Sequence, residues 1–184
     1  MCRELHPGRR GENMMPTKWM VVLSLVAAAQ TVFAPRVALA AESEAVQRLL
    51  DKDAIEAVLV RYTHALDALD ADKYAGVFTE DAVFDMGREQ RVGRDQIRDI
   101  IVGLQKSRAE REAAGTATPT LMHHVMSNAS LEIVSEEEAH HYAYWMTILG
   151  SADDKYTVAS MGHYEDILVK RDGEWLIQSR RLLR

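Results

Sequence analysis

Histidine is the side chain best matched to removing a proton from carbon near neutral pH, because its ordinary pKa lies at about 6.5. The chain has seven histidines, and two stand side by side in "TLMHHVMSN", Thr120 to Asn128. That stretch reads as a strand, and successive strand side chains point to opposite faces. His123 and His124 therefore cannot share one environment, and at most one of them faces a given pocket. A working histidine base needs a carboxylate on its other nitrogen, to hold the tautomer and to stabilise the imidazolium that forms. The alternative for either residue is a hydrogen-bonded core histidine. His64 falls opposite the apolar side of its helix and is expected to be exposed. His140 and His141 adjoin the "SEEE" turn and read as a solvated strand end. The five strand histidines (123, 124, 140, 141 and 163) match no ligand spacing, and alternation splits each pair, so no metal site is expected. A glycine-rich phosphate loop, a nucleophile elbow and a dinucleotide fingerprint are all missing from the sequence, and no cofactor is expected.

The elements that would position such a histidine are legible from periodicity. Ile55, Val58, Leu59, Tyr62, Leu66 and Leu69 recur at spacings of three and four, which predicts an amphipathic helix over about 43–69. "DADKY" opens a short second helix with Asp70 or Asp72 as its cap. "DAVFDM" and "EQRVG" read as a hairpin around Gly87, and a third helix runs from Asp95 to about Arg111. "AAGTATPT" is a loop. Four long strands follow at roughly 120–134, 138–150, 155–171 and 174–183, turning at "SEEE", "SADD" and "RDGE". Helices first and an antiparallel meander after them make an α+β domain. The strands carry apolar or aromatic residues on both faces: Tyr142, Tyr144 and Met146 on one, Ala143, Trp145 and Leu149 on the other. One face is expected to pack on the helices around a pocket, and the other on a second subunit. Trp145, Tyr144, Tyr164 and Met161 are candidates to line or plug that pocket. Arg180 and Arg181 are placed to pair with Asp166 or Glu165 across strands, or to form a solvated edge.

The 184 residues fit one domain preceded by a removable segment. Lys18 precedes the apolar run "WMVVLSLVAAAQTVFA", and Ala38-Leu39-Ala40 fits a small-x-small cleavage pattern. Residues 1–40 read as a signal peptide with an upstream segment, and Met14 or Met15 is a possible true start. The alternative, a retained anchor, is weakened by Gln30, Thr31, Pro35 and Arg36, which break the run before the ~20 residues of a span. The segment 41–184 would then be periplasmic or secreted, without stable membrane insertion. It carries 17 basic and 26 acidic residues, a balance of −9, which disfavours nucleic acid and anionic membranes. The only cysteine, Cys2, lies upstream, so this domain has no disulfide and no thiol nucleophile.

"RYTHALDALDADKYAGVFTEDAVFDM", "GRDQI", "HHVMSNASLEIVSEEEA" and "GHYEDILVKRDGEWLIQSRRL" together resemble the SnoaL-like branch of the nuclear transport factor 2-like superfamily, over nearly all of residues 46–183. The resemblance implies a cone-shaped curved antiparallel sheet wrapped against three N-terminal helices, an α+β barrel with a pocket inside. The superfamily includes scytalone dehydratase, bile-acid 7α-dehydratases, a hexachlorocyclohexane dehydrochlorinase and ketosteroid isomerase, together with non-catalytic members. Its lyases use a histidine–aspartate pair. "HVMSNASLEIVS" is similar to the dehydrochlorinase segment and puts His124 in the base's place. "ALDALDADKY" puts Asp67 in the aspartate's place, and Tyr62 falls where these enzymes often carry a second polar group. From the residues alone, Asp67 lies about 120° around the helix from Ile55, off the apolar stripe, and reads as a solvated carboxylate; Tyr62 lies within the stripe and reads as a core aromatic. Scytalone dehydratase has a further histidine at a position near Leu149 here, and its two pocket tyrosines fall at Leu66 and Met86. The dehydrochlorinase has a lysine in place of Tyr62.

The function these observations imply is a cofactor-independent lyase of the dehydratase type. It would act on a cyclic, largely apolar or polycyclic small molecule, as a homo-oligomer (dimer or trimer). A double-bond isomerase would use the same parts. The rival is a non-catalytic small-molecule-binding or scaffold protein of the same fold.

Overall fold

Ile55, Val58, Leu59, Tyr62 and Leu66 are all buried, as one stripe of a helix packed on a sheet must be. A computed structural model of the chain describes residues 18–116, 120–151 and 155–184, with side-chain surroundings from Ala41 onward except at Thr120. The upstream segment before Lys18, Cys2 included, lies outside the described residues, as do 117–119 of the expected loop and 152–154 of the "SADD" turn. The chain divides into units 1–46 and 47–184, and the second carries the fold. Helix α1 spans Lys18–Asp67, so its backbone begins well before the expected start near Ser43. No breaker separates Leu39 from Ser43, and helical hydrogen bonding continues through that stretch.

Helix α1 stops at Asp67 because Leu69 takes a left-handed conformation (φ 52°) and Asp70 caps the next helix, α2 (Ala71–Ala75), accepting from the Lys73 backbone N–H at 3.1 Å. Strands β1 (Phe78–Asp85) and β2 (Gln90–Val92) form the expected hairpin, with Gly87 at φ 83°. Helix α3 (Arg94–Ala113) and strands β3 (Thr120–Ile133), β4 (Glu138–Ser151), β5 (Tyr156–Arg171) and β6 (Glu174–Leu183) complete the domain. The six strands form one curved, unclosed sheet in the order β2-β1-β6-β5-β4-β3. It is not wholly antiparallel: β1 and β6 run parallel. They are far apart in sequence and joined by no tight turn, so no hairpin imposes the antiparallel sense.

Three of the sheet's four register slips keep the core faces of its long antiparallel strands in step. In β3 the register with β4 slips between Ser127 and Ser130, with Asn128 at φ 49°. His124 and Met126 face inward before this bulge, and Leu131 and Ile133 after it, a change of parity that unbroken alternation forbids. A second slip lets β5 follow β4 past Thr147, and a third, around Gln178 of β6, lets Ile177 and Arg180 both face inward. Bulges bend strands, and these three curve the sheet around Phe78, Ile97, Trp145, Tyr164, Leu168 and Ile177. At one end Asp51 ties α1 to the sheet: it accepts from Trp175 Nε1 at 2.9 Å and pairs with Lys170.

Candidate functional site

β3 is an edge strand, so every second backbone N–H along its open side needs a partner other than β4. At His124 that partner is Asp67, the last residue of α1. Its Oδ1 accepts from the His124 backbone N–H at 2.9 Å and lies 2.7 Å from His124 Nδ1. An ionised carboxylate only accepts, so Nδ1 carries the proton and Nε2 is the basic nitrogen. Among the described residues Nε2 has no hydrogen-bond partner. The His124 side chain is 11% exposed and that of Asp67 21%. One carboxylate oxygen thus fixes both the strand edge and the ring, and places an oriented imidazole on the inner face.

His123 points away from His124, as strand alternation requires. Its side chain is 58% exposed on the outer side, yet its Nδ1 lies 3.7 Å from the other oxygen, Oδ2, of the same carboxylate. Asp67 sits in the plane of the strand edge, so residues pointing to either face reach it. Directly opposite His124 on β4 is Thr147, buried, whose Oγ1 accepts from Ser160 on β5 at 3.2 Å. The polar residue facing His124 across the strands is therefore Thr147, two residues before the position near Leu149 singled out by resemblance.

Tyr62 is buried but does not join the His124–Asp67 hydrogen bond. Five residues turn a helix through about 500°, so Tyr62 and Asp67 leave α1 in different directions. Its hydroxyl accepts from Tyr74 at 3.3 Å, and its ring packs edge-on to Tyr164. The guanidinium of Arg180 lies between these rings, 4.0 Å from the centroid of Tyr62 and 4.1 Å from that of Tyr164. Burial pushes the hydroxyls of Tyr74 and Tyr164 well above the ordinary tyrosine range, so both remain proton donors at any physiological pH.

Arg180 is fully buried, not part of a solvated edge. It donates Nε–H and Nη2–H to the two oxygens of Asp166, both at 2.7 Å, and His141 Nδ1–H donates to Asp166 Oδ2 at 2.8 Å. His141 is likewise buried, against the expectation of a solvated strand end. Burial alone would raise the Asp166 carboxyl, but the Arg180 charge, its hydrogen bonds and His141 hold it below the usual carboxylate range. Burial also opposes the Arg180 charge, and Asp166 more than offsets it, raising the guanidinium pKa further. The third guanidinium nitrogen, Arg180 Nη1, is buried and has no hydrogen-bond partner among the described residues. Register about the Asp172-Gly173 turn signals the Asp166–Arg180 and Glu165–Arg181 pairings, but nothing local signals that the first is buried or that His141 joins it. Of the residues expected to line the interior, Trp145 and Tyr164 do face inward. Tyr144 and Met161 face outward and are exposed.

The SnoaL-like domain model matches residues 47–181. The chain belongs to the SnoaL-like family. Solved structures similar to this SnoaL-like protein include a variant of Rv3472, a protein of unknown function from Mycobacterium tuberculosis: 25% identity, 75% of this chain and 73% of that one covered, TM-score 0.61. A provisionally designated scytalone dehydratase from Novosphingobium aromaticivorans matches at 25% identity, covering 75% and 86% of the two chains, with a TM-score of 0.59. A Catenulispora acidiphila protein in complex with S-DNPA matches at 25% identity, covering 73% and 92%, with a TM-score of 0.58. No curated protein sequence matches the SnoaL-like chain significantly. The sheet and helices also resemble an NTF2-like protein with a cystatin-like fold from Novosphingobium aromaticivorans, at TM-score 0.64 and 15% identity, a likeness of fold alone.

Proposed function

We propose that this SnoaL-like protein is a cofactor-independent lyase that eliminates water, or a comparable leaving group, from a cyclic small molecule. The observation that carries this reading is the 2.7 Å contact between Asp67 and His124 Nδ1, which leaves Nε2 free as an oriented base. In the proposed step Nε2 takes a proton from a substrate carbon. The C–H electron pair becomes a carbon–carbon double bond, and the leaving group departs from the adjacent carbon with its own electron pair. Asp67 stabilises the imidazolium, which returns its proton to the medium or to the departing oxygen. Tyr62, held against Arg180, is the proposed electrophile that polarises a substrate oxygen or protonates a leaving hydroxyl. The similarity to a provisionally designated scytalone dehydratase and to a protein solved in complex with S-DNPA supports a small-molecule ligand.

The test is a product screen by mass spectrometry over hydroxylated cyclic compounds, looking for loss of 18 mass units, followed by kinetics on the best substrate. His124→Gln is expected to lower kcat by about 10²–10⁴-fold, and Asp67→Asn to lower it by a smaller factor. The double variant should be little worse than His124→Gln, because the pair acts as one unit. Turnover undiminished in His124→Gln would overturn His124 as the base, and no product from any compound in the screen would favour a binding protein.

A further inference from the structure

Trp145 stands on the inner face of β4, one inward position from Thr147, which pairs with His124. It is 3% exposed, and among the described residues its Nε1–H has no hydrogen-bond partner. The indole is held in place from several sides. It stacks on Tyr164 with centroids 5.7 Å apart and planes 27° from parallel, and Arg184 lies over its ring. Across the strand pair stands Gly162, where a Cβ would come within 3.1 Å of two indole carbons and 2.1 Å of the Leu183 carbonyl oxygen. The missing side chain there is the space the indole fills. The contrast with Trp175 is instructive: that indole N–H, equally buried, donates to Asp51.

Leaving a buried donor unmade costs about 1–3 kcal/mol, and a tryptophan N–H that is buried ordinarily finds a partner. A phenylalanine would fill the same space without that penalty. The neighbouring orphan, Arg180 Nη1–H, is reached through the same Tyr164 ring. Two donors without acceptors on one inner face describe an interior short of acceptors.

We infer that Trp145 Nε1 is a specificity-determining donor of the interior site, taking a carbonyl or other neutral oxygen acceptor on the bound molecule. The ligand is then an oxygenated ring compound and not a bare hydrocarbon or halocarbon. This deepens the function proposed above, since the acceptor belongs to the molecule on which His124 acts.

The test uses the whole chain labelled with ¹⁵N-tryptophan, whose three indole N–H groups are few enough to assign, Trp145 by its absence in Trp145→Phe. The probes are acetophenone and ethylbenzene, equal in size and differing in the acceptor oxygen. Acetophenone is expected to move the Trp145 indole proton downfield and leave Trp175 in place; ethylbenzene should not. Acetophenone should bind more tightly than ethylbenzene, and Trp145→Phe should weaken acetophenone about 3–10-fold while changing ethylbenzene less than about twofold. Equal affinity of the two probes for the unaltered protein would overturn the inference. So would a persistent water cross-peak to the Trp145 indole with acetophenone bound, which would make water the partner. His124→Gln separates the two readings: an intact Trp145 response together with undiminished turnover leaves the acceptor site standing and removes His124 as the base.

Discussion

Replacing Arg180 by methionine should destabilise the protein more than almost any other single change, and replacing Asp166 as well should restore most of the loss. Both side chains are 0% exposed, and they share two hydrogen bonds of 2.7 Å. Arg180→Met removes the cation that neutralises a buried carboxylate and leaves His141 as the side-chain partner of Asp166 among the described residues. Breaking one half of a buried pair typically costs about 3–5 kcal/mol, because the other charge stays desolvated. Against a total stability of about 5–15 kcal/mol, this should lower Tm by about 10–20 °C. In Asp166→Leu/Arg180→Met neither charge of the pair remains, and the double variant should lie within about 2 kcal/mol of the parent. Urea unfolding followed by circular dichroism on all four proteins gives the cycle. The same pair sets an acid limit. The Asp166 carboxyl lies below its ordinary value in the folded state, so its contribution is present above about pH 4. It is lost as the pH falls through the lower folded value, and the double variant should lack that component. Additive single-variant losses, or a loss below about 1 kcal/mol for Arg180→Met, would refute the reasoning that the pair is a desolvated unit.

Gly162→Ala should cost about 1–3 kcal/mol, read by thermal denaturation, because the added methyl meets the Leu183 backbone carbonyl, which cannot swing aside. Light scattering at micromolar concentration should report a dimer or larger assembly, since Leu121, Tyr144, Val158 and Met161 leave an apolar outer sheet face open. Tyr144→Glu/Met161→Glu should then shift the protein to monomer. N-terminal sequencing of protein recovered from its native host should begin at Ala41 or within a residue or two, as a cleaved signal segment requires.

Much of this architecture is legible in the chain, for local reasons. A period of three to four residues marks α1, Asp70 marks the cap of α2, and Asp172-Gly173 marks the turn between β5 and β6, because each depends on neighbours in sequence. Alternation likewise separates the environments of His123 and His124 without reference to any other part of the chain. What the tertiary structure decided is where the charges go. Asp67 lies off the apolar stripe of its helix and reads as solvated. Only the meeting of the end of α1 with the open edge of β3 turns it into the partner of His124, and brings it near His123 too. His141 reads as a solvated strand end, and Arg180 as a cross-strand partner of Asp166 or Glu165 or a solvated edge, because charge predicts exposure, and a buried ion pair is stable only when another element supplies its counter-charge. Asp166 supplies it from the neighbouring strand, and the rings of Tyr62 and Tyr164 cover the guanidinium. Burial is a property of the assembled layers, and bulges such as those at Asn128 and Gln178 choose which residues face inward. Sequence determined the elements and the chemistry each could offer; the packing of helix against curved sheet decided which of those groups meet out of water.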